Sequence, residues 1–484
     1  LSEWALFSLF GRLNYQFDDR YLLEAVVRRD ASSRFGTDNN AGVFPAASVG
    51  WRISEEDFMS FSAGWLNQFK IRAGYGITGN DRIGNYNSYT TYRSELGGAA
   101  WGRTGADVGS YYPIAGGNTT DGAVGFRRNA IGNTAVEWES TTTTNFGFDM
   151  TFFDKFDVML DIWQRNTEDM LYPQQIPAVA GRATAPSINV GEMKNQGFDL
   201  EISYNGSALQ NELTYMIGLN VSRYKNELVS LSGNDNEFLQ GGTIRGQNFT
   251  RAEKGSQFPA FFGYTIDGIF QSQEEADAHP VVTEDPSYNQ EGVFKIRDVN
   301  GDGQIDADDR GFIGSPHPDY TAGIILSASY KGFSLYTNLF ASVGNEVANG
   351  VNGMIDFNKF QGNRSTKRLY ESYDSPYLSN NADATMPMAR INDERDQRPS
   401  TYFIEDASYL RMQNLRVAYN FNRLFTNKNL FRNLTVYFHS TNLFTITEYS
   451  GLDPEIGASG MNQGVDKGGW PTVRRFLFGL QFGL

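Results

Sequence analysis

Cysteine is absent from the 484 residues, and histidine occurs at only three positions, His279, His317 and His439, which lie far apart in the sequence. The lack of cysteine excludes disulfide bridges, thiolate zinc sites and cysteine nucleophiles. The three histidines do not have the spacing of metal ligands, and no G-x-S-x-G, H-E-x-x-H or P-loop motif occurs. The many carboxylates are scattered, so no acid–base pair can be picked out. We therefore do not expect an enzyme.

The chain also lacks an excess of basic residues, since 41 Lys and Arg stand against 56 Asp and Glu, a formal net charge of −15. Because this charge repels phosphates, we do not expect nucleic acid as a partner. No run approaches eighteen consecutive apolar residues, which excludes a transmembrane helix. The first residues contain neither a basic segment nor an apolar signal core, so we expect the chain to begin inside a longer protein.

The sequence does contain a polar but strongly aromatic mixture, with 14% aromatic residues, 51 glycines and a mean hydropathy of −0.44. This mixture is too aromatic for a disordered chain and too polar for a helical membrane protein. Phe146, Phe148, Met150 and Phe152 alternate with polar or small residues. That period predicts a strand with one apolar face. It recurs at 6–18, 198–205, 434–438 and 476–482.

The alternation predicts about thirteen strands, most of them near the length that a tilted strand needs to cross a bilayer. We place them at 5–17, 20–30, 44–52, 69–79, 140–153, 156–166, 194–205, 212–224, 320–330, 333–343, 408–420, 432–442 and 474–484. Turn-type residues predict tight connections at Asp18-Asp19, Asp154-Lys155, Asn205-Gly206 and Lys331-Gly332. Between these lie long excursions at 80–139, 167–193, 225–319, 344–407 and 443–473.

Alternating short and long connections are typical of outer-membrane barrels, which have short periplasmic turns and long extracellular loops. The sequence therefore predicts an all-β fold, a portion of a transmembrane antiparallel β-barrel with long extracellular loops. A soluble β-sandwich with one solvated face would give the same period, and it stays open as the alternative. A sandwich would need a second set of apolar faces and shorter connections.

The segment from Asp298 to Asp309 has the spacing of a twelve-residue calcium-binding loop. Gly303 stands at the sixth position, where a sharp bend is required, and Gln304 at the seventh offers its carbonyl. The predicted ligands are Asp298, Asn300, Asp302, Gln304, Asp306 and Asp309. Because aspartate replaces the usual bidentate glutamate at the last position, we expect the weak affinity of an extracellular structural site. A solvated acidic turn would have a similar composition.

The excursion 80–139 carries aromatic residues among glycine, serine and asparagine. They are Tyr86, Tyr89, Tyr92, Trp101, Tyr111 and Tyr112. Such a mixture suits stacking on a substrate such as a sugar, or docking of a protein partner. A loop packed on its own aromatic anchors is an equal alternative.

Several segments resemble the SusC/RagA family of TonB-dependent outer-membrane transporters of Bacteroidetes-type bacteria. The segments that carry the resemblance are FGRLNY at 10–15, DRYLL at 19–23, RDASSRFG at 29–36, FPAASVGWRISEE at 44–56, IRAGYGITGN at 71–80, the 298–310 loop, PDYTAG at 318–323, SYLRMQNL at 408–415, TNLF at 441–444 and GWPTVRRF at 469–476. Their order runs through nearly the whole chain. Two departures are Asp309 and the final Leu484, where the family usually ends on an aromatic residue.

The resemblance implies that residues 1–484 form the C-terminal part of such a barrel, about thirteen of 22 strands. The plug and the first strands would then lie outside this sequence, since lipid cannot satisfy the bare edges of an open sheet. It also implies import of an oligosaccharide or a peptide through the outer membrane, a SusD-like surface lipoprotein as lid, energy from TonB through the plug, and contact with outer-membrane lipid. A siderophore or cobalamin importer is the alternative within transport, and a secreted calcium-dependent adhesin or lectin is the alternative outside it.

Overall fold

The computed structural model describes residues 2–94, 111–113, 122–124, 126–173, 183–231, 237–357, 362–390, 394–423 and 433–483. Thirteen long strands dominate it, and all thirteen strands predicted from the alternation are present, with bounds within three residues except at the end of the eighth strand, which extends six residues further. Their bounds are β1 Leu6–Phe17, β2 Tyr21–Ser32, β3 Ala41–Arg52, β4 Leu66–Asn80, β5 Glu139–Phe152, β6 Phe156–Glu168, β7 Glu192–Ala208, β8 Leu213–Ser230, β9 Tyr320–Tyr330, β10 Phe333–Val343, β11 Tyr409–Asn420, β12 Asn433–Thr441 and β13 Arg475–Gly483.

Each of these strands pairs antiparallel with the next one along the chain, so that they form one continuous meander, which we call the wall. A short strand, Thr445–Thr447, adds to β11 as the fourteenth member of this sheet. Among the described residues the wall has two ends, β1 and β13, and these do not pair with each other. The all-β antiparallel class is confirmed, and the described strands form an open portion of a barrel.

The tight connections gather at one end of the wall, which we call the turn end. Asp18 and Asp19 have φ values of 49° and 52°, and Lys331 and Gly332 have values of 46° and 96°. Two successive positive φ values are typical of the primed turns whose twist matches that of paired strands. The predicted turn residues are therefore confirmed at these positions. Of the predicted pair Asp154-Lys155, Asp154 is confirmed with a φ of 53°, but the other residue with positive φ is Phe153 and not Lys155.

The turn predicted at Asn205-Gly206 is wrong, because both residues lie inside β7. The chain reverses instead at Leu209, Gln210 and Asn211, all with positive φ. Asn-Gly is a strong hairpin signal, but here Gly206 lies directly opposite Tyr215, whose ring occupies the space where a side chain at 206 would stand. The glycine makes room for an aromatic neighbour and does not form the turn.

The long connections gather at the other end and contain secondary structure of their own. Short strands lie at Thr91–Ser94, Tyr111–Pro113, Gly122–Val124, Phe126–Ala130, Leu171–Pro173, Ser187–Asn189, Phe238–Ile244, Gln247–Glu253, Ala260–Gly263, Ile266–Ile269, Val281–Val282, Phe294–Ile296, Gln304–Ile305, Gly311–Gly314, Glu346–Asn349, Ile404–Asp406 and Val465–Asp466. Short α-helices lie at Gln273–Ala278, Asn352–Ile355 and Lys367–Tyr370. Turns of 3-10 helix lie at Ala307–Asp309, Asn381–Asp383, Glu394–Gln397, Thr401–Phe403 and Gly460–Asn462. Three others lie at the turn end, at Ile53–Glu55, Asp57–Ser62 and Phe421–Arg423. No helix in the described part of the chain is both long and apolar enough to span a membrane.

The buried apolar residues lie mostly in three of these connections, 231–319, 344–408 and 442–474, which together we call the loop layer. Its largest cluster joins all three connections and includes Phe261, Phe357 and Val465. The apolar side chains of the wall are exposed by contrast, with Ile162 at 52% and Phe478 at 81%. Because the apolar stripes do not meet in a dry core between two sheets, the sandwich alternative is wrong.

Candidate functional site: the polar face of the wall and the loop layer

A charged network crosses three neighbouring strands on the polar face of the wall. The guanidinium of Arg72 on β4 donates to Asp149 on β5 at 2.9 Å and makes two bonds to Asp161 on β6 at 2.7 and 2.6 Å. Lys70 lies 2.6 Å from the other oxygen of Asp149. Two parallel N–H···O bonds fix the plane of a guanidinium as well as its position. The network holds polar groups in a fixed arrangement on this face.

Gly147 explains how Arg72 reaches a strand that is not its neighbour. It lies between Arg72 and Asp161 in the register of the sheet, opposite both residues. A β-carbon at this position would stand 2.7 Å from Asp161 Oδ1 and 2.8 Å from Arg72 Cζ. Only glycine leaves the gap through which the arginine side chain crosses β5.

Further polar contacts continue the same face along β6 and β7. Trp163 Nε1 donates to Asp199 at 2.7 Å, and the Asp157 carboxylate accepts from Thr151 at 2.8 Å. Most of these side chains are only partly buried. They therefore line a wetted surface that can bind a polar ligand or another polypeptide.

The loop layer is fixed to the wall by one buried arginine. Arg411 in β11 is 2% exposed, and it donates to Asp453 and to Glu455, both at 2.5 Å. Asp453 also accepts from the backbone and the hydroxyl of Thr472. Burial acts to raise the pKa of Asp453, but the hydrogen bonds from Thr472, Glu455 and Arg411 together hold it below its usual value. The connection 442–474 is thus anchored by a charged carboxylate.

The three connections of the loop layer also hold one another. Glu346–Asn349 pairs with Ile404–Asp406 on one side and with Val465–Asp466 on the other. The Thr250 hydroxyl donates to the Met461 carbonyl at 2.6 Å. Segments more than 200 residues apart in sequence are therefore joined in one folded unit at the end of the wall opposite the turns.

The predicted calcium loop lies within this unit and is held by its own side chains. Asp298 accepts from the backbone N–H groups of Gly301 and Gly303 at 2.6 and 2.9 Å, and Asp302 accepts from Gln304 at 2.8 Å. Asp309 is 1% exposed and accepts from Val299 and Asp306, both at 2.8 Å. Asn300 accepts from Asp302 and Asp306 from Asp308. The glycine at the sixth position, Gly303, has a φ of 82°, as the sharp bend requires.

No group of three or more acidic or histidine side chains that could hold a metal ion is found in the described parts of the chain. The carboxylates of the loop are occupied by backbone N–H donors. A carboxylate oxygen has more than one lone pair, however, so these bonds leave acceptor capacity on each group. The residue types and the bend at Gly303 suit calcium, and binding of the ion stays a prediction.

The aromatic residues of the excursion 80–139 are placed only in part. Tyr86, Tyr89 and Tyr92 are exposed, at 46%, 62% and 64%. The Tyr86 hydroxyl accepts from the Glu3 backbone, and Tyr92 lies in a short strand pair opposite Arg128. Tyr111 and Tyr112 lie in the strand Tyr111–Pro113, and Trp101 lies outside the described residues. The three placed tyrosines offer rings to solvent, and their role as a binding surface stays a prediction.

The Arg72 network and the Arg411 anchor were not predicted from the sequence. Their only sequence signal is a charged residue on the polar side of a predicted strand, which many other residues share. What brings Arg72, Asp149 and Asp161 together is the register of three strands, and register is set by turn geometry and by the buried or lipid-facing stripe. A correct alignment of β4, β5 and β6 would have found the network.

Comparisons with known proteins place the chain among relatives of this architecture. The family model described as TonB dependent receptor-like, beta-barrel, matches residues 2–443. TonB-dependent receptor P3 of Formosa agariphila is 30% identical, over 99% of this chain and 46% of its own length. TonB-dependent receptor SusC of Bacteroides thetaiotaomicron is also 30% identical, over 98% of this chain and 43% of its own length.

A solved structure of the RagAB peptide transporter is similar with a TM-score of 0.78 and 25% identity, over 99% of this chain and 48% of that one. The chain spans about half the length of the relatives that it matches.

Proposed function

The chain belongs to the TonB-dependent receptor-like β-barrel family, and from this premise we propose that it forms the wall and the loop layer of a SusC-like importer of an oligosaccharide or a peptide. Transporters of this family cross the outer membrane with many strands. The exposed apolar side chains of the wall agree with such a location, because they can face lipid. The proposed role is transport and not catalysis. The wall would enclose the path, and the loop layer would form its extracellular mouth.

The observation that carries this proposal is the joining of a fixed polar face to a folded loop layer at one end of the same sheet. The polar face gives a hydrophilic route past the apolar exterior, as barrels with a polar interior require. The loop layer has its own buried core, so it can present a stable surface to cargo or to a lid. The similar RagAB structures are of a peptide transporter, also named a peptide importer.

We propose three kinds of protein partner. A SusD-like surface lipoprotein would cover the loop layer. The exposed tyrosines at 86, 89 and 92, in the connection between β4 and β5 at the same end of the wall, would be among its contacts or those of the cargo. The remaining barrel strands and a plug would complete the ring, because the backbone groups of β1 and β13 need partners within lipid. TonB would act on the plug to supply energy.

Uptake by the bacterium tests the proposed function. The gene for the full-length protein is deleted, and cells receive labelled peptides, oligosaccharides, ferric siderophore or cobalamin. We expect peptide or oligosaccharide uptake to be lost, to return with the intact gene, and to stop when the proton gradient is dissipated. Loss of only siderophore or cobalamin uptake would favour that alternative and overturn our choice of cargo. Unchanged uptake of all four would overturn import itself.

We also propose that calcium binds the loop 298–309 and stiffens the connection 231–319 by neutralising its crowded carboxylates. Support comes from the ligand types, the spacing and the bend at Gly303. Chelation of the full-length protein should increase proteolysis in this connection while the wall strands stay protected. The variant Asp298→Asn with Asp302→Asn should be cleaved readily with or without calcium, whereas Asp277→Asn, an exposed acid in a nearby helix, should respond as the parent does. Equal resistance with and without chelator would overturn the calcium proposal alone.

A further inference from the structure

The connection between β3 and β4, residues 53–65, is unlike the other fully described connections at the turn end, which span two to four residues. It contains two turns of 3-10 helix, Ile53–Glu55 and Asp57–Ser62. Within this connection Ile53 and Ser62 are buried, whereas Phe58 and Phe61 are 62% and 74% exposed. We call residues 53–65 the rim segment. Two phenylalanines exposed on one short segment need a partner that the described chain does not supply.

Contacts at both ends of the rim segment place it on the apolar face of the wall. The Glu56 carboxylate accepts from Tyr21 Oη at 2.7 Å and from Trp51 Nε1 at 2.9 Å, and these two rings are opposite each other in the register of β2 and β3. At the other end the ring of Trp65 stacks on Phe152, with centroids 6.1 Å apart and planes inclined by 16°. Tyr21, Trp51 and Phe152 all belong to apolar stripes of their strands, so the segment runs along the lipid side of the rim.

A groove on the same face begins where the rim segment is anchored. It has a volume of about 510 Å³. Its lining includes Tyr15, Tyr21, Leu23, Val49, Trp51 and Ile71. Glu56 binds the hydroxyl of Tyr21 and the N–H of Trp51, so these polar atoms already have a partner, and the surface of the groove is almost entirely apolar. A sugar or a peptide would leave its polar groups unpaired there.

We propose that the rim segment and this groove form a phospholipid-binding site in the periplasmic leaflet, with an acyl chain in the groove and Phe58 and Phe61 inserted at the interface. The groove is continuous with the lipid-facing surface of the wall, and the turn end of such barrels is periplasmic. Aromatic rings favour the interfacial depth. The carboxylates of Asp18 and Asp57, 61% and 99% exposed, lie 3.4 and 3.8 Å from the guanidinium of Arg20. With Glu56, which Arg20 also binds, they outnumber this cation, and the excess negative charge suits a headgroup that carries an amine. The proposal depends on placement in the outer membrane and is independent of the cargo.

Depth measurement tests the inserted segment. The 484 residues contain no cysteine, so a nitroxide can be placed at Phe58→Cys or Phe61→Cys, with Asp57→Cys as the matched control. The full-length protein, with any cysteine outside these residues replaced, is reconstituted in vesicles of phosphatidylcholine and phosphatidylethanolamine. We expect collisions with oxygen to dominate at 58 and 61, and collisions with a polar nickel complex to dominate at 57. Equal accessibility at the three positions would overturn the insertion.

Retained lipid tests the groove. Native mass spectrometry of the detergent-extracted full-length protein should detect bound phospholipid, with phosphatidylethanolamine retained over phosphatidylglycerol. Val49→Trp should fill the groove and reduce the bound fraction at least tenfold, whereas Val27→Trp, on the same face but outside the groove, should leave it unchanged. Equal retention of lipid in both variants would overturn the site. The site would also be overturned if the parent protein carried a second copy of the chain in place of lipid and Val49→Trp released that copy. None of these outcomes depends on uptake.

Discussion

Glu346 and Glu275 both lie in the loop layer, and their surroundings shift their pKa values in opposite directions. Burial raises the pKa of Glu346, and the nearby charge of Asp406 adds to this, although the Ser315 N–H donates to it at 2.7 Å. The Gln271 N–H, followed by Lys295 at 2.9 Å, lowers the pKa of Glu275. A raised carboxylate pKa means that the fold disfavours the charged form, and a lowered one means that the fold favours it.

The two glutamates should therefore give the loop layer opposite dependences on pH. With a raised folded pKa, the contribution of Glu346 is fully present below the unfolded value of 4.5 and is lost as the pH rises through the folded value. The contribution of Glu275 is present above 4.5 and is lost as the pH falls through its folded pKa. Glu346→Gln should raise the unfolding midpoint of the loop layer at pH 7, and Glu275→Gln should lower it slightly. Hydrogen exchange between pH 4 and 8 would measure the stability of the loop layer in each variant relative to the parent. If this difference changes with pH in the same direction for both variants, the prediction is contradicted.

Arg411 is the residue whose loss should loosen the connection 442–474. Removing one partner of a buried ion pair costs about 3–5 kcal/mol, because the other charge stays buried without its partner. Arg411→Met should therefore reduce protection of amides in 442–474 by a factor of at least a hundred, with the strands of the wall unchanged. Arg416→Met is the control on the same strand, since Arg416 is exposed and lies over the ring of Tyr437. Equal losses in the two variants would contradict the anchoring role.

At the scale of elements, the sequence predicts what depends on local chemistry. Alternation of apolar and polar side chains places all thirteen strands, because one face of each must meet lipid and the other must not. Paired turn residues place the reversals at 18–19 and 331–332, and the predicted pair Asp154-Lys155 is one residue late, because the positive φ values lie at Phe153 and Asp154. The reversal after β7 was misplaced because Asn205-Gly206 serves the packing of Tyr215, a contact that depends on cross-strand register and not on the dipeptide.

Gly147 determines whether the side chain of Arg72 on β4 can reach Asp161 on β6 across β5. Gly147→Ala should push Arg72 away from Asp161, because the new methyl group would overlap both side chains. Such overpacking costs about 1–3 kcal/mol. Gly11→Ala on β1 is the matched control, as a β-carbon there meets nothing within 4 Å. Urea unfolding of the full-length protein in detergent would compare them, and equal midpoints would contradict the crossing of Arg72 over Gly147.

At the scale of the whole molecule, the wall and the loop layer are stabilised by different means. The loop layer buries aromatic and aliphatic side chains in its own clusters. The sequence predicts the same segments only as long excursions, because their cores are assembled from residues far apart, such as Phe261 with Val465. The wall leaves its apolar stripe exposed, so its stability depends on the surrounding lipid.

That dependence predicts opposite outcomes for one substitution on the two faces of β6. Ile162 lies midway along the strand on the apolar face, between Phe146 and Phe198, whereas Met159 lies on the polar face between Asp149 and Glu201. Lysine near the bilayer midplane on the lipid face costs about 2–4 kcal/mol. Ile162→Lys should therefore lower the yield of folded full-length protein in the outer membrane, while Met159→Lys, which places its charge beside two acids, should be tolerated. Outer-membrane fractionation measures how much of each variant reaches the membrane. The mobility of unheated samples in a denaturing gel measures how much of each variant is folded as a barrel. If the two variants fold equally well, or if Met159→Lys is the worse, the apolar stripe does not face lipid and the placement of the wall in the membrane is wrong.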